Sequence, residues 1–202
     1  MKKISFLLML LSITVYFSAC SNRMGSDRTT SGRTTTGGGN TGDETGSSTG
    51  GRTGSSSSEM NMRAEFVKDA ADGGMAEVQL GNLALQKASS QSVKDFAQMM
   101  ITDHSKANDE LKDVASGDNI TIPSSVSSDH QDDIDKLSNL SGTDFDKAYM
   151  DLMVKDHQKD VDTFEEASKN VTDPQLKSWI DKTLPTLRHH LEVAKTTRDQ
   201  IK

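Results

Sequence analysis

AADGGMAEVQLGNLALQKASSQSVKDFAQMMITDHSKANDEL, residues Ala70–Leu111, decides the fold. On both sides of Ser89-Ser90 the apolar residues recur every three or four positions. Met75, Val78, Leu80, Ala84 and Leu85 precede the break; Val93, Phe96, Ala97, Met100, Ala107 and Leu111 follow it. That spacing lines up side chains on one face of a helix with 3.6 residues per turn. Two such faces separated by a serine pair predict a helical hairpin closed by a short turn. Upstream, Phe66 and Ala70 extend the first helix to about Met60–Lys87; downstream, Val114 carries the second to Ser116-Gly117.

The same period runs through the rest of the chain. Gly117 to Ser125, with Pro123, reads as loop, and Ile134, Leu137 and Leu140 mark a short amphipathic crossover helix. Thr143 is expected to cap a third long helix, to about Ser168, carrying Phe145, Tyr149, Leu152, Met153, Val161 and Phe164. Asp173-Pro174 combines an N-cap acid with proline at the first helical position and opens a fourth. Its stripe is Leu176, Ile180, Leu184, Leu187, Leu191 and Ala194; Pro185 lies inside it and is expected to kink it, leaving the Asp181 carbonyl without its usual donor. No segment alternates with period two, so strands are not expected. The reading is all-α: an antiparallel four-helix bundle, ferritin-like, with a short crossover helix.

The N-terminal quarter reads differently. Met1–Lys3 are followed by an apolar run to Phe17 and by the small residues Ser18 and Ala19 before Cys20, the only cysteine. This is the layout of a secretory signal peptide, residues 1–19, and Phe17-Ser18-Ala19-Cys20 resembles the lipobox of bacterial lipoproteins, which makes Cys20 the expected lipidation site. From residue 20 to 58 the chain is almost wholly Ser, Thr, Gly, Arg and Asn. It cannot bury enough apolar surface to offset its ordering entropy and is expected to be a disordered tether. The folded domain is expected over 59–202, and the membrane is reached through the lipid on Cys20. Ser21, rather than Asp, follows that cysteine, which favours the outer membrane of the bacterial cell envelope, facing the periplasm.

Within residues 59–202, 27 acidic residues outnumber 17 basic ones. A surface of that sign excludes nucleic acid as a partner and disfavours anionic lipid headgroups. The domain has no cysteine, so any metal must be held by nitrogen and oxygen. No nucleophile constellation and no phosphate-binding glycine loop is present. The chemical question is which polar residues share the apolar stripes. Phe66, Ala70, Gly73, Glu77, Leu80 and Ala84 share one face of the first helix. On the second, Val93, Ala97, Met100, His104, Ala107 and Leu111 do so; on the third, Tyr149, Met153, His157, Val161 and Phe164; on the fourth, Leu176, Ile180, Thr183, Leu187, His190 and Ala194. Each long helix thus turns one ionisable group inward.

With both short turns placed at the same end of the bundle, the pairs Glu77/His104 and His157/His190 differ in depth by only roughly 5 Å. The four are therefore candidate ligands of iron, zinc, copper or manganese, for which imidazole and carboxylate are suited. The alternative is an internally hydrogen-bonded polar network. Asp103 and Asp156 each precede a core histidine in the similar segments MMITDHSK and LMVKDHQK. Adjacent helical positions diverge by about 100°, so each aspartate is placed to orient a histidine of a facing helix, or else lies at the solvated boundary. His189 and His130 are expected at the surface, Glu165 is a spare carboxylate, and Met99, Met100, Met150 and Met153 are core filler.

The opening stretch, with FDKAYMDLMVKDHQKDVDTFE (Phe145–Glu165) and LPTLRHHLEVAK (Leu184–Lys195), resembles a bacterial envelope family, the domain of unknown function numbered 4142. The resemblance covers essentially all of 59–202. It implies a secreted or lipid-anchored bundle of ferritin-like type with no established reaction, and its recurrent polar positions correspond here to Glu77, Asp103, His104, Asp156, His157 and His190. Di-iron ferritin-like proteins carry Glu-x-x-His pairs on two helices, and this chain has none on its inner faces. The expected function is therefore non-enzymatic metal handling or stress protection, with a structural or protein-interaction bundle as the alternative and a metal-dependent oxidase as the remaining enzymatic one.

Overall fold

The computed structural model describes residues 53–201; the expected signal peptide, Cys20 and most of the expected tether lie outside the described residues. Five helices and no strand are found among those described: α1 (Thr53–Lys87), α2 (Gln91–Gly117), α3 (Ser128–Ser138), α4 (Gly142–Asn170) and α5 (Pro174–Gln200). None of these helices is long and apolar enough to cross a membrane.

Side-chain caps open two of the helices, α3 at Ser127 and α5 at Asp173. Asp173 caps α5 as expected, its carboxylate accepting from the backbone N–H groups of Gln175 and Leu176 at 3.0 and 2.8 Å, with Pro174 beside it. The helix then runs through Pro185 to Gln200. Two ends differ from expectation. The residue at the cap of α4 is Ser141, not Thr143, and it makes no side-chain capping bond. And α1 begins at Thr53, seven residues before Met60, through Ser/Gly-rich sequence of poor helix propensity. Near the foot of α1, Glu59 accepts from Thr172, and Arg63 bridges Asp118 and Asp173 at 3.2 Å each.

The long helices form a helical bundle in which α1 packs on α2, α2 on α5, α5 on α4 and α4 on α1, with α3 against α1 and α4. The short turns lie at opposite ends, which corrects the same-end placement used to compare depths. Buried Asp146, at the start of α4, accepts from Ser89 N, Ser89 Oγ and Ser90 N at 3.0, 2.5 and 2.9 Å, fixing the α1–α2 turn there. Arg63 and Glu59 tie the α4–α5 turn to the opposite end, where α1 begins and α2 finishes. His104, His157 and His190 lie near the middle of their helices, where depth is similar from either end, and Glu77, ten residues before the end of α1, meets His104 across the hairpin.

The apolar interior falls into two clusters. One gathers Val67, Ala71, Leu111, Val161, Phe164, Trp179, Ile180 and Leu187; the other Leu80, Phe96, Met100, Phe145, Tyr149, Met150 and Met153. Along α1, α2 and α4 the change from one cluster to the other falls at Glu77, His104 and His157, and on α5 it follows His190, after Leu191. A polar layer thus divides the core. On α1 the buried stripe below that layer is Val67 and Ala71 rather than Phe66 and Ala70, which are half-buried and line a groove.

Candidate metal centre

Glu77, His104, His157 and His190 come from four different helices and are 4, 7, 0 and 0 % exposed. Their ring centroids make a near-equilateral triangle: 5.7 Å between His104 and His157, 5.2 Å between His104 and His190, 5.3 Å between His157 and His190. One ring nitrogen from each lies within 4.8 Å of the other two.

What each ring offers follows from its other nitrogen. His157 Nδ1 donates to the Met153 carbonyl at 2.9 Å, and a carbonyl only accepts, so the proton is on Nδ1 and Nε2 carries the lone pair. His190 Nε2 donates to Asp103 Oδ2 at 2.9 Å, which leaves the lone pair on Nδ1. Asp103 stands on α2 and His190 on α5, so the carboxylate orients a ring on a facing helix and fixes its tautomer. Burial lowers the pKa of both rings, that of His190 to about 4, and both are neutral at physiological pH.

The third ring is held differently. His104 Nε2 lies 2.5 Å from Glu77 Oε2, and His157 Nδ1 is 3.2 Å from Oε1. The contacts are close but not aligned: neither Glu77 oxygen nor His104 Nε2 has a partner in hydrogen-bonding geometry. Burial opposes charge on both groups, yet their mutual attraction wins. The Glu77 carboxyl is held at about 2 and the His104 ring is raised. The layer therefore holds an internal ion pair and two neutral, oriented imidazoles. Eight buried side-chain nitrogen and oxygen atoms lack a hydrogen-bond partner among the described residues, and five of them belong to these four residues. Unsatisfied polar atoms are few in native interiors, so the concentration of five in one layer sets this part of the core apart.

The remaining candidates fall outside the triangle. Asp156 hydrogen-bonds none of the three histidines; it is half-buried and lines the groove between α1 and α4, where burial and then repulsion from Glu77 raise it to about 6. Glu165 pairs with Arg188 at 2.8 Å on the outside, and His189 is exposed. His130 is not free at the surface: its Nδ1 meets Asp72 Oδ2 at 3.0 Å, and Asp72 also accepts from Ser127 N. One acid was missed. Asp160, one turn after Asp156, is pushed up to about 8 by burial and then by Glu77, and borders the cavity beside His104 and His190. Its signal was the i, i+4 spacing from Asp156 on the flank of the His157 stripe.

The family profile described as "Domain of unknown function (DUF4142)" matches residues 51–197. The chain belongs to that family. The match starts two residues before α1 and covers every helix except the last residues of α5, so the polar layer lies wholly within the DUF4142 region. No curated protein and no solved structure matches the chain.

Proposed function

We propose that this protein is a non-enzymatic, lipid-anchored component of the bacterial envelope whose helical domain binds a transition metal through His104, His157 and His190, with Glu77 as the carboxylate ligand. The observation that carries the reading is the triangle of buried imidazoles, two of which have their lone pairs fixed by Met153 O and Asp103. A tetrahedral ion ~2.0–2.1 Å from each nitrogen holds its ligand atoms roughly 3.4 Å apart, so the triad closes by shifts on the order of 1 Å. Binding displaces the proton that His104 shares with Glu77 and replaces an internal pair by metal–ligand bonds. Three nitrogens and one oxygen suit iron, zinc, copper or manganese.

The helix order supports an antiparallel four-helix bundle of ferritin-like connectivity: two hairpins, turns at opposite ends and a long crossover bearing α3. Cys20 supplies the anchor, and 27 acidic against 17 basic residues in 59–202 argue that the domain itself docks on neither nucleic acid nor anionic lipid. The absence of inward Glu-x-x-His pairs is the reason for preferring metal handling to oxidase chemistry.

A second reading, a purely structural polar layer, is favoured by the Glu77–His104 ion pair, which is already neutral overall. Thermal unfolding separates the two. Metal binding predicts that Zn2+ or Fe2+ raises the Tm of the wild type and not that of a His104→Ala/His157→Ala variant. A structural layer predicts the same difference between the two proteins with and without metal.

A further inference from the structure

Between α1, α3 and α4 runs a groove of about 590 Å³, lined by eight carboxylate residues against one lysine, Lys159, and one histidine, His130. Buried Glu77 is part of its lining, with both carboxylate oxygens lacking an aligned hydrogen-bond donor. A second cavity of about 40 Å³ lies beside His104 and His190, large enough for a small ion with a water or two. Five residues border both spaces, among them Gly73 and Asp160.

Gly73 is unusual. It sits in mid-helix, one turn before Glu77, where glycine is unfavourable and no turn or positive φ calls for it. Neighbours do not demand it either, since a Cβ built there meets nothing within 4 Å. Gly74 and Gly81 differ: Asn108 approaches the first, and Ile101 and the Ala97 carbonyl approach the second. What glycine achieves at 73 is an unfilled space where groove and inner cavity meet.

We propose that the groove is the path by which a divalent cation reaches the three histidines, with Gly73 as its opening and Asp160 as the carboxylate that passes the ion inward. This rests on the histidine site described above. The sign of the lining selects the cargo: low-dielectric walls carrying carboxylates concentrate cations and repel anions. Asp160 completes the path because it alone among these carboxylates, apart from Asp69, borders both spaces.

The test is the rate at which the full-length, metal-stripped chain takes up Co2+, followed by its visible absorption in a stopped-flow instrument. Gly73→Leu fills the opening and leaves every ligand in place; it is expected to slow uptake by about tenfold or more, with the final stoichiometry unchanged. Asp160→Asn, compared with wild type at pH 9 where the acid is ionised, is expected to slow uptake and to weaken its dependence on ionic strength. Gly73→Ala, which adds one methyl to open space, serves as the control for folding and is expected to bind at close to the wild-type rate. Uptake at the wild-type rate by both Gly73→Leu and Asp160→Asn overturns the route while leaving the histidine site standing. A wild type that takes up no Co2+ overturns the site, and the route with it.

Discussion

Replacing Glu77 by Gln in the metal-free protein removes one charge from the polar layer and keeps its shape. The Glu77 carboxyl is fully buried and held at about 2 instead of 4.5. That displacement corresponds to about 3 kcal/mol of preference for the charged form in the folded chain. Because the folded pKa is depressed, the stabilisation is fully present above pH 4.5 and is lost as pH falls towards 2. Gln behaves as the protonated acid at every pH. Glu77→Gln is therefore expected to be about 3 kcal/mol less stable than wild type between pH 5 and 7. The deficit should shrink to about 1 kcal/mol at pH 3, where only about one pK unit of advantage remains. Urea unfolding followed by circular dichroism, with chelator present throughout, reads both numbers. A variant as stable as wild type at pH 7 would refute the ion-pair account, as would a deficit that stays constant down to pH 3.

Asp160→Asn should act with the opposite pH dependence. Its acid is raised to about 8, so the stability it confers is present below pH 3.8 and lost as pH rises through 8; metal-free Asp160→Asn should gain on wild type by at least about 1 kcal/mol between pH 4 and pH 9, and parallel pH–stability curves would contradict this. Asp146→Ala removes the acceptor of three hydrogen bonds at the α1–α2 turn and is expected to cost about 2–3 kcal/mol in denaturant unfolding; a cost below about 1 kcal/mol would show the turn is held otherwise. Gly73→Ala should stabilise by about 0.5–1 kcal/mol, because its Cβ enters open space. Gly81→Ala should destabilise by about 1–3 kcal/mol, because its Cβ falls 2.8 Å from Ile101 Cγ1 and 3.1 Å from the Ala97 carbonyl. Equal effects at the two glycines in thermal melts would contradict the packing argument.

The helices were legible because burial imposes a period, and the period survives wherever an apolar stripe faces the core. The same logic brought out Glu77, His104, His157 and His190, since a polar residue on a buried stripe breaks the pattern visibly. Asp103 could be picked out by its place beside His104, but its partner could not: only packing shows that it meets His190. The likeness of MMITDHSK to LMVKDHQK suggested the same role for Asp156, and there it misled, because Asp156 faces the groove while Asp103 faces α5. Asp160 and Asp146 were hidden for a general reason. An aspartate on the edge of a helical stripe looks solvated in sequence, and its burial depends on which helix packs across it. Phe66 and Ala70 fit the inner stripe by spacing, but they pack at the edge of the core, Phe66 against Phe164 of α4, and line the groove on their other side. The start of α1 in Ser/Gly-rich sequence was not readable either, because those residues have poor helix propensity and carry no apolar stripe.

The measurement that bears most directly on the central claim is metal content by plasma mass spectrometry. The full-length protein, produced without a metal-binding tag and exposed in turn to iron, zinc, copper and manganese, is compared with His104→Ala/His157→Ala treated identically. The account predicts close to one metal ion per wild-type chain and none in the variant. No metal in either protein, or equal metal in both, would contradict it.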